Sequence, residues 1–281
     1  MPGASNGVAG SARTLGPVEA ELVAWLEVER PATIDVDDVC KTFDWPRRRV
    51  YGLLSRLAKK GWLQRTVAGR YEPLLAESGG VRLPNPWAAL SSWKVAYYVS
   101  LGSAAYERNL LPDRPAAIQV CVPAGTTRPT GWAQVSISLV ARRSFDLSGS
   151  DLEERHGFNV RIAGIERILL DSATMPGRVG GAFGLARIVD RAAERASWER
   201  FARLARRSGR GTAASRRIAA LLEILNREVP AELERIAASK RSDSLLYIGS
   251  TRVHGRRGQI LPRWRVLVNL SADALREEVE R

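Results

Sequence analysis

The stretch FDWPRRRVYGLLSRLAKKGWLQRTVAGRYEP, Phe43–Pro73, decides how the first part of this chain folds. A basic amphipathic helix, a Gly stop and two short strands around a tight turn at Thr66–Gly69 follow one another without a gap. A helix followed by a two-stranded ribbon, both carrying Arg and Lys, is typical of a winged helix-turn-helix, which places a helix in the major groove of DNA. From Lys41 to Arg70 there are nine Lys or Arg residues and one acid, Asp44. We therefore predict that this chain binds DNA.

The residues before this stretch supply the two other helices that such a module needs. Apolar side chains recur at helical spacing from Pro17 until Pro31, which predicts a first helix. Thr33–Ile34 is expected to form a short edge strand. Asp35 or Asp37 can then cap a second helix, because a side-chain oxygen at that position accepts from a free backbone N–H.

The third helix is expected from Pro46 to Lys60, with Gly61 as a left-handed C-cap. At about 100° per residue, one apolar stripe must pack against the first two helices. That stripe consists of Val50, Leu53, Leu54 and Leu57. The predicted DNA-binding residues lie elsewhere on this helix and on the ribbon: Arg47, Arg48, Arg49, Tyr51, Ser55, Arg56, Lys59, Arg65 and Arg70.

The chemistry of these side chains suits a duplex. Arg pairs in bidentate fashion with guanine, Ser serves bases or phosphates, and Lys suits phosphates. Arg47 and Arg49 can reach phosphates near the positive end of the helix. Two other interpretations stay open, namely a basic face that only contacts water and a winged helix that binds a protein.

Composition sets the wider limits. The 281 residues are 45% hydrophobic and 26% charged, as in an ordinary folded protein, but the net charge of +13 favours a polyanionic partner. Cys40 and Cys121 lie far apart in apolar contexts, so we expect buried free thiols in a reducing cytosol. There is no signal-peptide pattern and no apolar run of about 18 residues, so we expect a cytoplasmic protein without a membrane partner.

The chain divides into two parts after a Gly- and Ser-rich beginning. We predict a disordered lead-in at 1–16, the winged helix-turn-helix domain at 17–80, and a larger domain at 87–281, after a link rich in Pro and Gly near 75–86. Strands and helices mix in the larger domain without a regular βαβ alternation, so its predicted class is α+β. A core helix is predicted at Gly164–Thr174, with Glu166 and Asp171 making caps or local ion pairs.

Residues for catalysis are missing. Only His156 and His254 occur, neither near a Cys, and there is no metal-binding motif. Gly102-Ser103 followed by a strand at Ile118–Val122 resembles the opening of a nucleotidyltransferase, which needs strand carboxylates for two metal ions. That strand reads IQVCV and has no acid. We therefore expect no enzyme activity, no metal and no cofactor. GGAFGLA, residues 180–186, is expected to start a closely packed helix.

Two segments are dense in arginine. From Arg187 to Arg217 there are ten Arg and three acids, and from Lys240 to Arg265 seven cations and only Asp243. Solvated helices or a second surface for an anionic partner explain them equally well.

The order of motifs resembles the AbiEi-type antitoxins of type IV (abortive infection) toxin–antitoxin operons. The similarity runs from LLSRLAKKGWLQRTVAGRYEP through YYVSLGSAAYERNLLP and IQVCVP to NVRIAGIERILLDSATMPGRVGGAFGLARIV and SRRIAALLEIL. The family's "ER-LLD…P…GG" stretch corresponds here to Glu166, Arg167, Leu169, Leu170, Asp171, Pro176, Gly180 and Gly181.

The resemblance implies two roles. The winged helix would repress its own operon at inverted repeats, and the C-terminal domain would neutralise a nucleotidyltransferase toxin, with or without direct contact. The alternative is a stand-alone winged-helix regulator whose second domain senses a ligand or a protein.

Overall fold

The structure, a computed structural model, describes residues 15–29, 31, 33–65, 70–74, 85–129, 132, 135–239 and 244–280. The chain forms two compact units, one of Met1–Lys94 with Pro129–Val135 and one of Val95–Arg128 with Ser136–Arg281. Nearly all of the predicted lead-in, the ribbon tip and most of the predicted link lie outside the described residues. No helix in the described ranges is long and apolar enough to cross a membrane.

Helices with one two-stranded ribbon build the first unit. They are α1 (Pro17–Glu29), α2 (Val36–Phe43), α3 (Arg47–Lys59), β1 (Leu63–Arg65), β2 (Tyr71–Pro73) and α4 (Pro86–Ser92). Asp35 caps α2, as predicted. Its carboxylate accepts from the Asp38 N–H at 2.9 Å, and the Asp38 carboxylate accepts from the Asp35 N–H at 2.9 Å. This reciprocal capping box fixes where α2 begins.

The predicted apolar stripe of α3 forms the centre of this unit. Its four residues are buried together with Leu22, Leu26 and Val39 of α1 and α2. Gly61 has φ +74° and ends the helix, as predicted. The start of α3 differs from the prediction, because Pro46 is the N-cap and the first helical residue is Arg47.

The two ribbon strands, expected at Trp62–Arg65 and Arg70–Glu72, differ from those bounds by one residue. β1 and β2 pair antiparallel from Leu63 opposite Pro73 to Arg65 opposite Tyr71. The expected edge strand at Thr33–Ile34 is only an isolated bridge from Ile34 to Tyr71. α4 was not predicted, although Asn85 caps it through a hydrogen bond from the Trp87 N–H at 3.0 Å.

A mixed five-stranded sheet organises the second unit. Its strands are β3 (Tyr98–Val99), β4 (Ile118–Pro123), β5 (Ile137–Arg142), β6 (Ser150–Arg155) and β7 (Phe158–Ala163), in the order β5-β4-β3-β7-β6. β3 lies at the centre, antiparallel to β4 and parallel to β7. The short central strand therefore depends on both neighbours for its backbone hydrogen bonds.

Helices accompany this sheet. They are α5 (Leu101–Glu107), α6 (Ile165–Thr174), α7 (Gly181–Ala192), α8 (Trp198–Arg207), α9 (Gly211–Ile224), α10 (Ala231–Ser239), α11 (Thr251–His254) and α12 (Ala272–Glu280). A small sheet of β8 (Leu246–Tyr247), β9 (Gln259–Leu261) and β10 (Val266–Val268) completes the unit. α6 packs against α5, α7, α8 and α9 and is buried from Arg167 to Thr174. The mixed α+β class is confirmed.

Close backbone contact explains the glycines before and in α7. Gly180 and Gly181 have φ of +86° and +73°, where a side chain is strained. A Cβ on Gly184 would lie 1.6 Å from the Val179 carbonyl oxygen. GGAFGLA therefore starts a closely packed helix, as predicted.

We expect Gly184→Ala to lower the free energy of unfolding by about 2 kcal/mol or more, although Ala normally stabilises a helix by about 1 kcal/mol over Gly. Urea unfolding of the full chain measures this. Gly209→Ala is the matched control, because nothing lies within 4 Å of its added Cβ. A Gly184→Ala protein as stable as the control would contradict the close contact.

Candidate functional site

The exposed face of α3 carries four of the predicted DNA-binding side chains. Arg48, Tyr51, Ser55 and Lys59 are all exposed, and Tyr51 keeps 51% of its surface. From Arg48 to Lys59 the row extends about 16 Å along the helix. In the described part of the chain neither Arg48 nor Lys59 has a carboxylate partner, so both charges are available to an external anion.

Three other predicted cations of α3 already have partners in the first unit. Arg47 forms an ion pair with Asp37, and hydrogen bonding to Tyr51 and the charge of Asp37 raise the pKa of Arg47. The Arg49 guanidinium lies 5.0 Å from the centre of the Trp45 ring. Arg56 Nε lies 3.3 Å from Glu19 Oε1. These contacts orient the three side chains. Because all three side chains remain exposed, each contact contributes little to the free energy of folding.

Glu19 holds α3 against α1. Its side chain is 6% exposed and accepts from the Gly16 N–H at 2.9 Å, from Arg56 and from Lys60. Hydrogen bonds from Lys60 and Gly16 lower the pKa of Glu19 to about 2. The carboxylate therefore stays charged and joins the C-terminal half of α3 to the start of α1.

The ribbon carries the last two predicted residues. Arg65 ends β1 and is exposed, whereas Arg70 precedes β2 and is half-buried. The predicted tip, Thr66–Gly69, lies outside the described residues. The structure thus collects most of the predicted side chains on α3, and their contact with DNA stays a prediction.

In the second unit a buried carboxylate is surrounded by donors. Asp171 of α6 has no exposed surface. It accepts from Arg142 Nη2 at 3.0 Å, Arg167 Nε at 3.3 Å, Ser100 Oγ at 2.8 Å and the Tyr98 hydroxyl at 3.1 Å. Asp171 was predicted to make caps or local ion pairs. Arg167 is a local partner, but the other donors come from β3, its end and β5, so the cluster joins α6 to the sheet.

Cys121 belongs to the same cluster, which corrects the expectation of an apolar context. Its Sγ lies 4.0 Å from Asp171 Oδ2. Burial and the negative charge of Asp171 raise the pKa of Cys121 to about 12, so the thiol stays protonated. Burial and Asp171 also raise the pKa of Tyr98. Cys121 and Cys40 are free cysteines, as predicted, although Cys40 is only half-buried.

A glutamine fills the turn that resembled a nucleotidyltransferase. Gln119 Oε1 accepts from the Gly102 N–H at 2.7 Å, and Gln119 Nε2 donates to the Arg178 carbonyl at 2.8 Å. The Gln119 N–H donates to Ser103 Oγ at 2.9 Å. The Gly102 amide and the Ser103 hydroxyl, which such an enzyme would offer to phosphates, are used within the fold. In the described ranges no group of three His, Cys, Asp or Glu side chains can hold a metal ion.

The arginine-rich segments divide into buried and exposed parts. Arg216 and Arg217 donate to backbone carbonyls, for example from Arg217 Nη1 to Ala173 O at 2.9 Å, and burial lowers the pKa of Arg217. Arg200, Arg203 and Arg207 of α8 are exposed instead. In the sequence, only their spacing of three and four residues indicates that they share one helix face. Part of the segment 240–265 lies outside the described residues.

Two comparisons with known proteins gave matches, one for part of the second unit and one for the fold of the chain. Residues 97–224 match the family model described as the AbiEi antitoxin C-terminal domain. The "Crystal structure of RV2827C protein from Mycobacterium tuberculosis" is similar with a TM-score of 0.67 and 21% identity over 98% of both chains. At that identity the likeness concerns the fold alone. A comparison with curated proteins found no match.

Replacing Asp171 tests the buried cluster. We expect Asp171→Asn to lower the free energy of unfolding by about 3–5 kcal/mol, because two guanidiniums lose their buried counter-charge. Urea unfolding at neutral pH is the measurement. Asp146→Asn is the control, since Asp146 also contacts Arg167 at 3.3 Å but its side chain is 49% exposed, and its loss should cost under about 1 kcal/mol. Equal losses in the two variants would show that the cluster does not depend on Asp171.

Proposed function

We propose, on the premise that the chain is an AbiEi-type antitoxin by virtue of residues 97–224, that it both regulates its own operon and neutralises a toxin. The first unit would be a winged helix-turn-helix with α3 as recognition helix and β1–β2 as wing. The single observation that carries the DNA-binding part is the row of exposed side chains on α3, whose end residues Arg48 and Lys59 have no carboxylate partner among the described residues.

Physical properties of the first unit support a role on DNA. The apolar stripe of α3 is fully covered, so the exposed face is not needed for folding. Arg48 near the first turn suits a base edge or a phosphate, and Lys59 suits a phosphate. The net charge of +13 supports long-range attraction to a polyanion. We infer that the operator is a duplex with inverted repeats.

The second unit would be the part that neutralises the toxin, and its expected target is a nucleotidyltransferase. We propose that it acts without catalysis of its own. Gln119 occupies the amide of Gly102, and the β4 strand carries no carboxylate. Neutralisation would then follow from binding or from another regulatory effect on the toxin.

We expect Arg48→Ala combined with Lys59→Ala to weaken operator binding at least about tenfold, since each phosphate contact contributes through counterion release. A mobility-shift titration with the operator duplex measures the affinity, and the log–log salt slope should become less steep by about one to two. Lys94→Ala combined with Arg114→Ala removes the same charge from exposed positions outside α3 and is the control. Equal weakening of operator binding by both pairs of substitutions would assign the effect to net charge and would exclude α3 as the recognition helix.

Co-expression with the adjacent gene tests the antitoxin role. We expect the full-length protein, made from an unrelated promoter, to restore growth when that gene is toxic. The Arg48→Ala/Lys59→Ala protein should restore growth equally, because the altered face belongs to DNA binding. Failure of both proteins, at confirmed expression levels, would reject neutralisation and favour a stand-alone regulator.

A further inference from the structure

A cavity in the second unit gathers an unusual number of arginines. It has a volume of about 570 Å³ and lies between α8, the start of α6 and the beginning of β6. That volume is in the range of sites that hold small molecules. The basic residues that line it are Arg108, Arg195, Arg200, Arg203 and Arg207.

The guanidiniums of α8 form one row along this cavity. Arg200, Arg203 and Arg207 are three and four residues apart, so they share a helix face and extend about 10 Å along it. All three are exposed, as is Arg195. Over the described ranges none of these four guanidiniums has a carboxylate within 4 Å. Like charges gathered without counter-charges repel one another, so the row gains stability when an anion binds.

Arg108, which also lines the cavity, is held in place by its own contacts. Its Nη1 and Nη2 both donate to the Glu153 carboxylate, Nη1 to Oε2 at 3.1 Å, and its Nε donates to the Ala163 carbonyl at 3.3 Å. A guanidinium fixed in this way loses little conformational entropy when it binds a ligand. Glu153 neutralises the charge of Arg108, so Arg108 contributes only its remaining N–H donors, beside the exposed side chains of α8.

The remaining lining defines the charge and the polarity of the ligand. Asp151 and Glu166 are the two acids, and Glu166 also accepts from the Ser197 N–H at 2.8 Å. The four cations that lack a carboxylate partner among the described residues, set against these two carboxylates, leave an excess of about two charges, which a phosphomonoester of about −1.5 to −2 balances. The N-terminus of α6 adds its partial positive charge at Gly164 and Ile165.

Apolar and acceptor groups complete the lining. Leu204 and Ile165 can contact a ring, and Asp151 can accept from a hydroxyl or an amino group of the ligand. The Leu204 side chain packs against Gly149, since a Cβ on Gly149 would lie 2.8 Å from its Cδ1. The cavity thus offers cations for a phosphate, an apolar wall and an acceptor.

We propose that this cavity binds a small phosphorylated molecule of nucleotide size through its phosphomonoester. The guanidiniums of α8 and Arg108 hold the phosphate, and Leu204 contacts the ring. This site goes beyond the proposed antitoxin role and does not rest on it. It gives the second unit a ligand whose occupancy can change its surface charge.

Isothermal titration of the full chain with adenosine and guanosine 5′-monophosphates tests the site. We expect binding of at least one nucleotide with a Kd at or below about 1 mM, and no binding of the matching nucleoside. Arg203→Gln combined with Arg207→Gln should weaken that binding at least about tenfold. Arg206→Gln combined with Arg210→Gln is the control, because these exposed arginines of the same segment do not line the cavity, and its Kd should change less than about twofold.

Other outcomes decide against the site. If neither nucleotide binds, the proposal is rejected. Equal weakening of nucleotide binding in the two double variants would show that only net charge matters, which would reject the site. If the cavity variant weakens binding of a DNA duplex while both nucleotides fail to bind, the row on α8 contacts a nucleic-acid backbone instead. Circular dichroism of each variant, which should match the unaltered chain, excludes unfolding as the cause.

Discussion

The Asp171 carboxylate is the interaction on which the second unit depends most. A carboxylate without contact to water is costly unless its oxygens are paired, and here two guanidiniums and two hydroxyls supply the compensation. The donors come from the centre of the sheet, from its edge strand β5 and from α6 itself. Because β3 has only two residues, its position relies on this side-chain cluster as well as on its neighbours. The acid in the antitoxin-like motif therefore has a structural task.

The same region shows why a nucleotidyltransferase-like layout does not imply catalysis. A turn that presents a free amide and a hydroxyl can bind phosphates, but Gln119 uses both the Gly102 amide and the Ser103 hydroxyl. A thiol can act as a nucleophile when it is ionised, but burial keeps Cys121 protonated. The Gly102 amide, the Ser103 hydroxyl and the Cys121 thiol are thus engaged inside the fold. Function in this unit is thus expected on its surface.

Local signals in the sequence predicted much of the fold. The helix predicted at Gly164–Thr174 runs from Ile165 to Thr174, and the predicted left-handed Gly61 follows α3. β6 was not predicted, because SDLEER is polar and exposed along most of its length and lacks the apolar alternation of a half-buried strand. The Asp171 cluster was beyond prediction for another reason. Its donors at Ser100 and Arg142 are far from Asp171 in sequence, and no local pattern reports such pairing.

The net charge alone does not show where this protein would bind an anion, because many of its cations pair with groups inside the fold. Arg142 and Arg167 neutralise Asp171, Arg216 and Arg217 donate to carbonyls, and Lys60 pairs with Glu19. In the described ranges, α3 and α8 each carry cations without a carboxylate partner on one exposed helix face. Both helices have a covered apolar side that fixes their orientation. The folding of each helix thus forces its unpaired charges to face outward, where only an external anion can neutralise them.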